Sequence, residues 1–451
     1  MFKECKNQSI YRICLTDNNQ GSVGSCRFKR TDIAPLFPYA GKTIETLCSE
    51  NDGLLVVPPT TKDTKDDVEK SVMLDIVSTE NPDDVCLRAG NVMGFVGVGD
   101  LKIKIRSRFD TGDDDYLLHY MLQRVLSFNL FDLNYTNDDD AVFDFMMLMF
   151  PSFLKSALAQ GVYREYQRRC YNDSRVKGTI DVGRHISRNI PFVGNVAYSM
   201  REYTHDNSMM QLIRHTIEFM RQKRIGNAVL NKDKEAIDFV RQIVECTPTY
   251  NKAERDRIIQ RNLRPNRHPY FTAYRPLQRL CVQILRMNEM KYGENDDELS
   301  GILFDGAWLW EEYVGTILQD YGFKHPQNRL KKGMVPLFDD KSGARYPDFY
   351  NTYIVLDAKY KRMEKMDKVS EVNRDDLHQI IAYIDMLRLK HGGFVAPMTQ
   401  CQTVVPTSRL NGTTSATISI YGIEVAKADN YKEFCEGMAM AEKRFIQTVL
   451  Q

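Results

Sequence analysis

Along roughly the first hundred residues, apolar side chains come in short or alternating runs. "GLLVVPP", "NVMGFVGVGD" and "LKIKIRSRF" are punctuated by Gly, Pro and Asp, as in a β-rich segment. In "LKIKIRS" the alternation is strict. Leu101, Ile103 and Ile105 face one way, and Lys102, Lys104 and Arg106 the other. The polar stretch Pro58 to Ser71 reads as a loop or a helix start. From about residue 113 to 290 the apolar spacing becomes three and four, which predicts helices. They cover "DYLLHYMLQRVLSFNLFDL", "DAVFDFMMLMFPSFLKSALAQGVYREYQRR" and "SMMQLIRHTIEFMRQKRI". After about residue 295 helices and strands alternate. "GAWLWEEYVGTILQDYG" reads as a helix ending at Gly322, "YIVLDAKYK" as a strand, and "DDLHQIIAYIDMLRLKHG" as a helix stopping at Gly392-Gly393. "GGFVAPM" and "TISIYGIEV" follow as strands, and "NYKEFCEGMAMAEKRFIQTVL" closes as a helix.

This order predicts a mixed α/β chain in three regions. Residues 1–110 form a β-rich N-terminal region, a candidate for partner or DNA contact. Residues 111–295 form a mainly helical middle domain, and residues 296–451 a mixed sheet with helices packed on it. A length of 451 residues exceeds one ordinary core. With 43% apolar and 27% charged residues the chain is globular rather than disordered. No apolar run approaches the roughly 18 residues of a membrane span. The first residues lack the apolar core of a signal peptide, so a cytoplasmic protein is expected. Ten scattered cysteines form no C-x-x-C pair and no zinc-site spacing, and read as reduced, mostly buried residues. The Met-rich "FDFMMLMF" reads as core, and "DDD" at 113–115 and 138–140 as loops or helix starts.

The net charge of +1 is uninformative, but its distribution is not. From Asn251 to Leu280 the basic residues far outnumber the acids, and Arg257, Arg261, Arg264 and Arg267 are candidate DNA contacts. A second stretch, "YREYQRRCYNDSRVKG", interleaves cations with tyrosines. Either stretch is also compatible with a solvated helix face.

The densest chemistry lies in "RYPDFYNTYIVLDAKYKR", Arg345 to Arg362. Asp357 and Lys359 share one face of a strand, with Ala358 on the other. The run before them is apolar on both faces, so the strand is central and its charges sit where an α/β sheet opens into a crevice. The turn "YPDF" can bring Asp348 beside Asp357. Two close carboxylates repel unless a cation separates them. Oxygen ligands favour Mg2+, with Mn2+ as a substitute, and the carbonyl of Ala358 also points at such a site. A lysine there can orient or deprotonate a water, or stabilise charge on a phosphate, which suits phosphodiester hydrolysis. The plainer alternative is a salt-bridged strand end. Gln379 and Tyr383 lie four apart on the next helix. One of Glu311 and Glu312, mid-helix, is expected to aim inwards as a third carboxylate.

Asp-x8-Asp-Ala-Lys, an upstream helical Glu and a downstream Q-x-x-x-Y resemble the PD-(D/E)xK nuclease superfamily. "LFDGAWLWEEYV", "RYPDFY", "IVLDAKYK" and "LHQIIAYI" resemble, in order, the McrC family, the nuclease subunit of McrBC modification-dependent (5-methylcytosine) restriction systems. "VMGFVGVGDLKIKI" and "VKGTIDVGRHISRN … REYTHDNSMMQLIRHTI" are similar to McrC segments before the nuclease. The resemblance spans roughly residues 90 to 395, and "SRFD … DYLLHYML" is also like LlaJI-type relatives. It implies a C-terminal restriction-endonuclease-like domain and a Mg2+-dependent endodeoxyribonuclease. Its metal would be held by Asp348, Asp357, Glu311 and the Ala358 carbonyl, with Lys359 as catalytic lysine and Gln379 in support; Glu312 is the alternative to Glu311. It implies double-stranded, modified DNA as substrate and an AAA+ GTPase of the McrB type as partner. That partner would bind the GTP, since this sequence has no G-x-x-x-x-G-K-[ST], and McrC would stimulate its GTPase. Other readings are a RecB-like or LlaJI-like nuclease guided by its own N-terminal domain, and a non-catalytic activator of the ring. The last predicts a degenerate motif, whereas all five residues are present.

Overall fold

The computed structural model describes residues 11–19, 27–51, 53–58, 71–99, 101–110, 115–125, 138–232, 234–264, 266, 268–290, 299–328, 332–400, 402, 404–411 and 415–450. Most of the Pro58–Ser71 stretch, Asp113 and Asp114, and residues 126–133 of the first expected helix lie outside this set. The chain packs as two units, one of residues 1–134 with 295–451 and one of residues 135–294. Both contain helices and sheets, so the protein is of the mixed α/β type. No helix among the described residues is long and apolar enough to cross a membrane.

The first unit holds two five-stranded sheets. One runs in the order Tyr11–Thr16, Leu101–Arg106, Val92–Val98, Ser300–Asp305, Leu54–Val57. The alternation of "LKIKIR" is realised, with Leu101, Ile103 and Ile105 buried in a core with Leu15, Leu54, Val96 and Leu303. Ser300–Asp305 runs antiparallel to Val92–Val98 and parallel to Leu54–Val57. Two glycines allow that close approach. A Cβ on Gly94 (φ 135°) would stand 2.2 Å from the Ile302 carbonyl, and one on Gly301 (φ 144°) 2.1 Å from the Phe95 carbonyl.

The second sheet runs Phe349–Tyr350, Ile354–Ala358, His391–Met398, Thr417–Glu424, Thr407–Arg409. Its three inner strands are parallel and its two edge strands antiparallel. The helix Gly306–Leu318 is tied to it by Trp310, whose indole Nε1 donates to the Val395 carbonyl at 3.0 Å. Tyr120 and Tyr313 both donate to Glu442 Oε1, at 2.8 and 2.9 Å, which joins the helices Tyr116–Val125, Gly306–Leu318 and Tyr431–Leu450.

Three sequence expectations are corrected here. The helix Arg374–Met386 does not reach Gly392-Gly393; it ends through Leu387 and a left-handed Arg388 (φ 54°). Gly392 and Gly393 lie inside the strand His391–Met398. A Cβ on Gly392 would meet Ile384 Cδ1 at 2.6 Å, and one on Gly393 would meet Tyr421 Cε2 at 2.5 Å. These glycines make room for packing and do not cap a helix. In the second unit, the helix expected through Arg169 stops at Leu158, and Glu165–Asp173 is a strand paired with Val196–Thr204. Its side chains alternate in exposure, a period of two that the neighbouring helical spacing masked. Finally, the described cysteines are unbonded, but only Cys281 and Cys435 are buried; Cys14 and Cys170 face outwards.

A buried ion pair anchors the segment that follows Leu101–Arg106. Asp17, fully buried, is 3.0 Å from Arg108 Nη1. The Arg108 guanidinium also donates to the Tyr360 carbonyl and lies 4.6 Å over the Tyr360 ring. Burial raises the Asp17 carboxyl to about 6 although Arg108 opposes it. Arg108→Ala should therefore cost about 3–5 kcal/mol in urea unfolding near pH 7.5, because it strands a buried carboxylate. A folded pKa above the unfolded one means that charging Asp17 destabilises the fold as pH rises through that window. The deficit should thus shrink at pH 5, and a deficit independent of pH would contradict this assignment.

Candidate active site

Phe349 pairs with Leu356 in an antiparallel ladder. One step further along that register sets Asp348 opposite Asp357. The main-chain N–H of Ala358 donates to Asp348 Oδ2 at 2.7 Å, so the strand end itself holds the first carboxylate. Asp357 is buried, 1% exposed, at the C-terminal end of an inner parallel strand. Burial, then the charges of Glu311 and Asp357, hold the Asp348 carboxyl well above the usual carboxylate range. Burial also raises Asp357, against the pull of Lys359 beside it.

Lys359 Nζ lies 2.7 Å from Asp357 Oδ2 and 3.3 Å from Asp376 Oδ1, and donates to Gln379 Oε1 at 3.2 Å. Its approach to Asp357 Oδ2 is off the hydrogen-bonding direction, so that buried oxygen has a nearby charge but no hydrogen-bond donor. Burial favours the neutral amine, yet Asp357, Asp348 and Asp376 together push the Lys359 pKa above its ordinary value. The lysine is an ammonium at neutral pH.

Asp348, Asp357, Lys359 and Gln379 are thus brought together. Gln379 in turn donates to Tyr383 OH at 3.1 Å, one helical turn on. Glu311 bears on Asp348 through its charge. Glu312 points to His325, 4.0 Å from its Nε2. Ala358 enters through its N–H, which anchors Asp348. Among the described residues no group of three or more His, Cys, Asp or Glu forms a metal-binding cluster. The site is a carboxylate pair with an ammonium against it. That donor set still fits a hard divalent cation, because Mg2+ keeps most of its waters and needs only one or two carboxylates.

Two participants escaped sequence reading. Asp376 bridges Lys359 and Lys361, the latter at 2.6 Å. Its signal was available, three residues before Gln379 on the same helix face. His325 stacks on Phe349 (centroids 4.7 Å apart) and its Nδ1 lies 2.8 Å from the Asp348 carbonyl. Burial lowers its pKa, but Glu312 and the Asp348 carbonyl outweigh that and raise it. No sequence pattern marked it.

The basic residues belong to the other unit. Arg257 and Arg261 are exposed on the helix Arg255–Arg261, and Arg264 is exposed just after it. Arg267 lies outside the described residues. Arg257 is 3.7 Å from Glu254. Arg255 is structural, donating to the Leu285 carbonyl with its guanidinium 4.8 Å over the Phe219 ring.

Fold and site define a mixed α/β protein whose central parallel strand delivers paired carboxylates and a lysine to one sheet end. The family of McrBC 5-methylcytosine restriction system components matches residues 87–397, which include every residue of this site, and the chain belongs to that family. No curated protein matches it. Among solved structures, it is similar to a chain of the Thermococcus gammatolerans assembly of McrB AAA+ hexamers with bound McrC. The identity there is 14%, covering 95% of this chain and 99% of that one, with a TM-score of 0.41. It is also similar to a chain of the Thermococcus gammatolerans McrBC complex at 13% identity, covering 68% of this chain and 87% of that one, with a TM-score of 0.30.

Asp376→Asn keeps the shape and removes one of the carboxylates that charge Lys359. The Lys359 pKa should fall, as read by NMR titration of the lysine. An unmoved Lys359 titration would remove Asp376 from the site.

Proposed function

We propose that this protein is the nuclease subunit of an McrBC-type restriction system, cutting double-stranded, 5-methylcytosine-bearing DNA with Mg2+. The observation that carries this reading is the pair of buried carboxylates, Asp348 and Asp357, with the Lys359 ammonium beside them at the end of one strand. It agrees with a PD-(D/E)xK nuclease domain at the C-terminal end of the chain. Held by Asp348 and Asp357, Mg2+ would supply Lewis-acid activation of a water and neutralise charge on the phosphate.

The residues of the chain divide the remaining work. Lys359, protonated, serves better as a charge stabiliser for the phosphate than as a base. Gln379 and Asp376 hold its ammonium in place. Glu311 adds negative charge beside Asp348 and strengthens the attraction for a cation. Arg257, Arg261 and Arg264 would meet the DNA backbone. Family membership supports an AAA+ GTPase partner of the McrB type, which would bind GTP and drive cleavage.

Lys359→Ala should lower cleavage of methylated DNA about 100- to 1,000-fold in the presence of the partner, GTP and Mg2+. Stimulation of the partner's GTPase should stay unchanged, while melting falls, because the variant leaves buried Asp357 without its counter-charge. Full cleavage by the variant would sink the catalytic assignment. Metal binding should also depend on pH. The raised Asp348 carboxyl must lose its proton to solvent for a cation to bind, so affinity rises with pH and binding releases protons. Calorimetry in buffers of different ionisation enthalpy reads that release. Affinity that is flat with pH, or unchanged by Asp357→Ala, would exclude this pair as the ligands.

A further inference from the structure

The turn after the strand Ile354–Ala358 carries a second lysine that the proposed chemistry does not use. The Lys361 N–H donates to the Lys359 carbonyl at 2.9 Å, a tight turn directly behind Lys359. That turn brings both ammoniums to one carboxylate. Lys361 Nζ donates to Asp376 Oδ2 at 2.6 Å, and Lys359 Nζ lies 3.3 Å from Asp376 Oδ1. Each lysine has its own oxygen of Asp376, so a single carboxylate spans the gap between the two nitrogens.

The two lysines differ in what is left for a ligand. The Lys359 side chain is 16% exposed and is surrounded by Asp357, Asp376 and Gln379. That of Lys361 is 51% exposed, and its ion-pair partner among the described residues is Asp376 alone. An ammonium has three N–H donors, so two remain to Lys361 for an anion. Asp376 also brings one negative charge to two positive ones. The other anion at Lys359 is Asp357, which the proposed metal would claim. The next cation along the chain is committed elsewhere. Arg362 Nη2 donates to the Arg108 carbonyl at 2.6 Å, its Nη1 is 3.3 Å from Glu364, and its guanidinium lies 5.5 Å over the Phe109 ring. An ordinary surface ion pair contributes at most about 1 kcal/mol to stability and nothing to DNA binding. The Lys361 pair differs from one because it shares its carboxylate with Lys359.

We propose that Lys361 binds the phosphate next to the scissile one on the same strand of the duplex. A nucleic-acid strand carries one negative charge per nucleotide, and two ammoniums bridged by one carboxylate match two successive charges. Lys359 would face the phosphate that is cut and Lys361 its neighbour, with Asp376 fixing the spacing between them. Contacts of this kind carry no sequence information; they set the register of the DNA, here against Asp348 and Asp357. This role rests on the nuclease reading and deepens it by naming a substrate contact outside the metal seat.

Anisotropy of a short fluorescein-labelled duplex, titrated with the full chain in chelator, reads the contact. No cleavage occurs there, so this result and that of Lys359→Ala on cleavage fail separately. Lys361→Gln should weaken duplex binding about tenfold, as expected for one charge-assisted hydrogen bond. The slope of log K against log salt should flatten by about 0.9, the value of one phosphate contact on a duplex. Lys361→Arg keeps the charge and should restore both. Arg362→Gln should leave the slope as it is in the native chain. In cleavage with the AAA+ partner, GTP and Mg2+, Lys361→Gln should raise KM for DNA while kcat stays within about twofold, the mark of a binding contact. Native affinity and slope in a folded Lys361→Gln chain would overturn the proposal. A slope flattened equally by Arg362→Gln would also overturn it, since any surface cation would then serve.

Discussion

Two carboxylates buried at the end of one strand are the constraint around which this molecule is arranged. Burial raises the proton affinity of both Asp348 and Asp357, and the charge of Asp357 raises that of Asp348 further. Such a pair persists only if the backbone fixes it and counter-charge surrounds it. The Phe349–Leu356 register and the Ala358 N–H do the first. Lys359, held by Asp376 and Gln379, does the second. The positive charge that the protein supplies to Asp357 is the Lys359 ammonium, 2.7 Å from its Oδ2.

The surrounding fold makes that arrangement rigid. Trp310 bonds the carbonyl of Val395, the residue paired with Ala358, and so ties the Glu311 helix to the sheet beside the site. Arg108, from the end of the N-terminal sheet, bonds the carbonyl of Tyr360, immediately after Lys359. Asp17 holds Arg108 in turn. The two sheets of the first unit are therefore joined through buried polar contacts at the loop that carries the lysine. A polar link of this kind specifies geometry more than it adds stability.

Much of this was legible in the sequence because it rests on local periodicity. "LKIKIR" alternates and is a half-buried strand; "YIVLDAKYK" reads as an inner strand ending in charge, and it is one. Elements set by distant partners were not legible. Ser300–Asp305 joins the N-terminal sheet between strands some two hundred residues upstream, which no local pattern encodes. Gly392-Gly393 looked like a helix stop because nothing nearby shows Ile384 and Tyr421 closing on them. Glu165–Asp173 continued a helical run in composition, and only its pairing with Val196–Thr204 makes it a strand. At the site, the carboxylates and the lysine came from one short stretch, whereas Asp376 and His325 enter through tertiary contact.

Asp348 and Asp357 are proposed to form a seat for a divalent cation. Crystals grown with Mn2+ test it most directly, through an anomalous difference map at the manganese edge. The expected result is a single strong peak about 2.0–2.3 Å from one oxygen of each aspartate, with the Lys359 ammonium displaced from Asp357. No peak there, with Lys359 still seated against Asp357, would reduce the motif to a salt-bridged strand end.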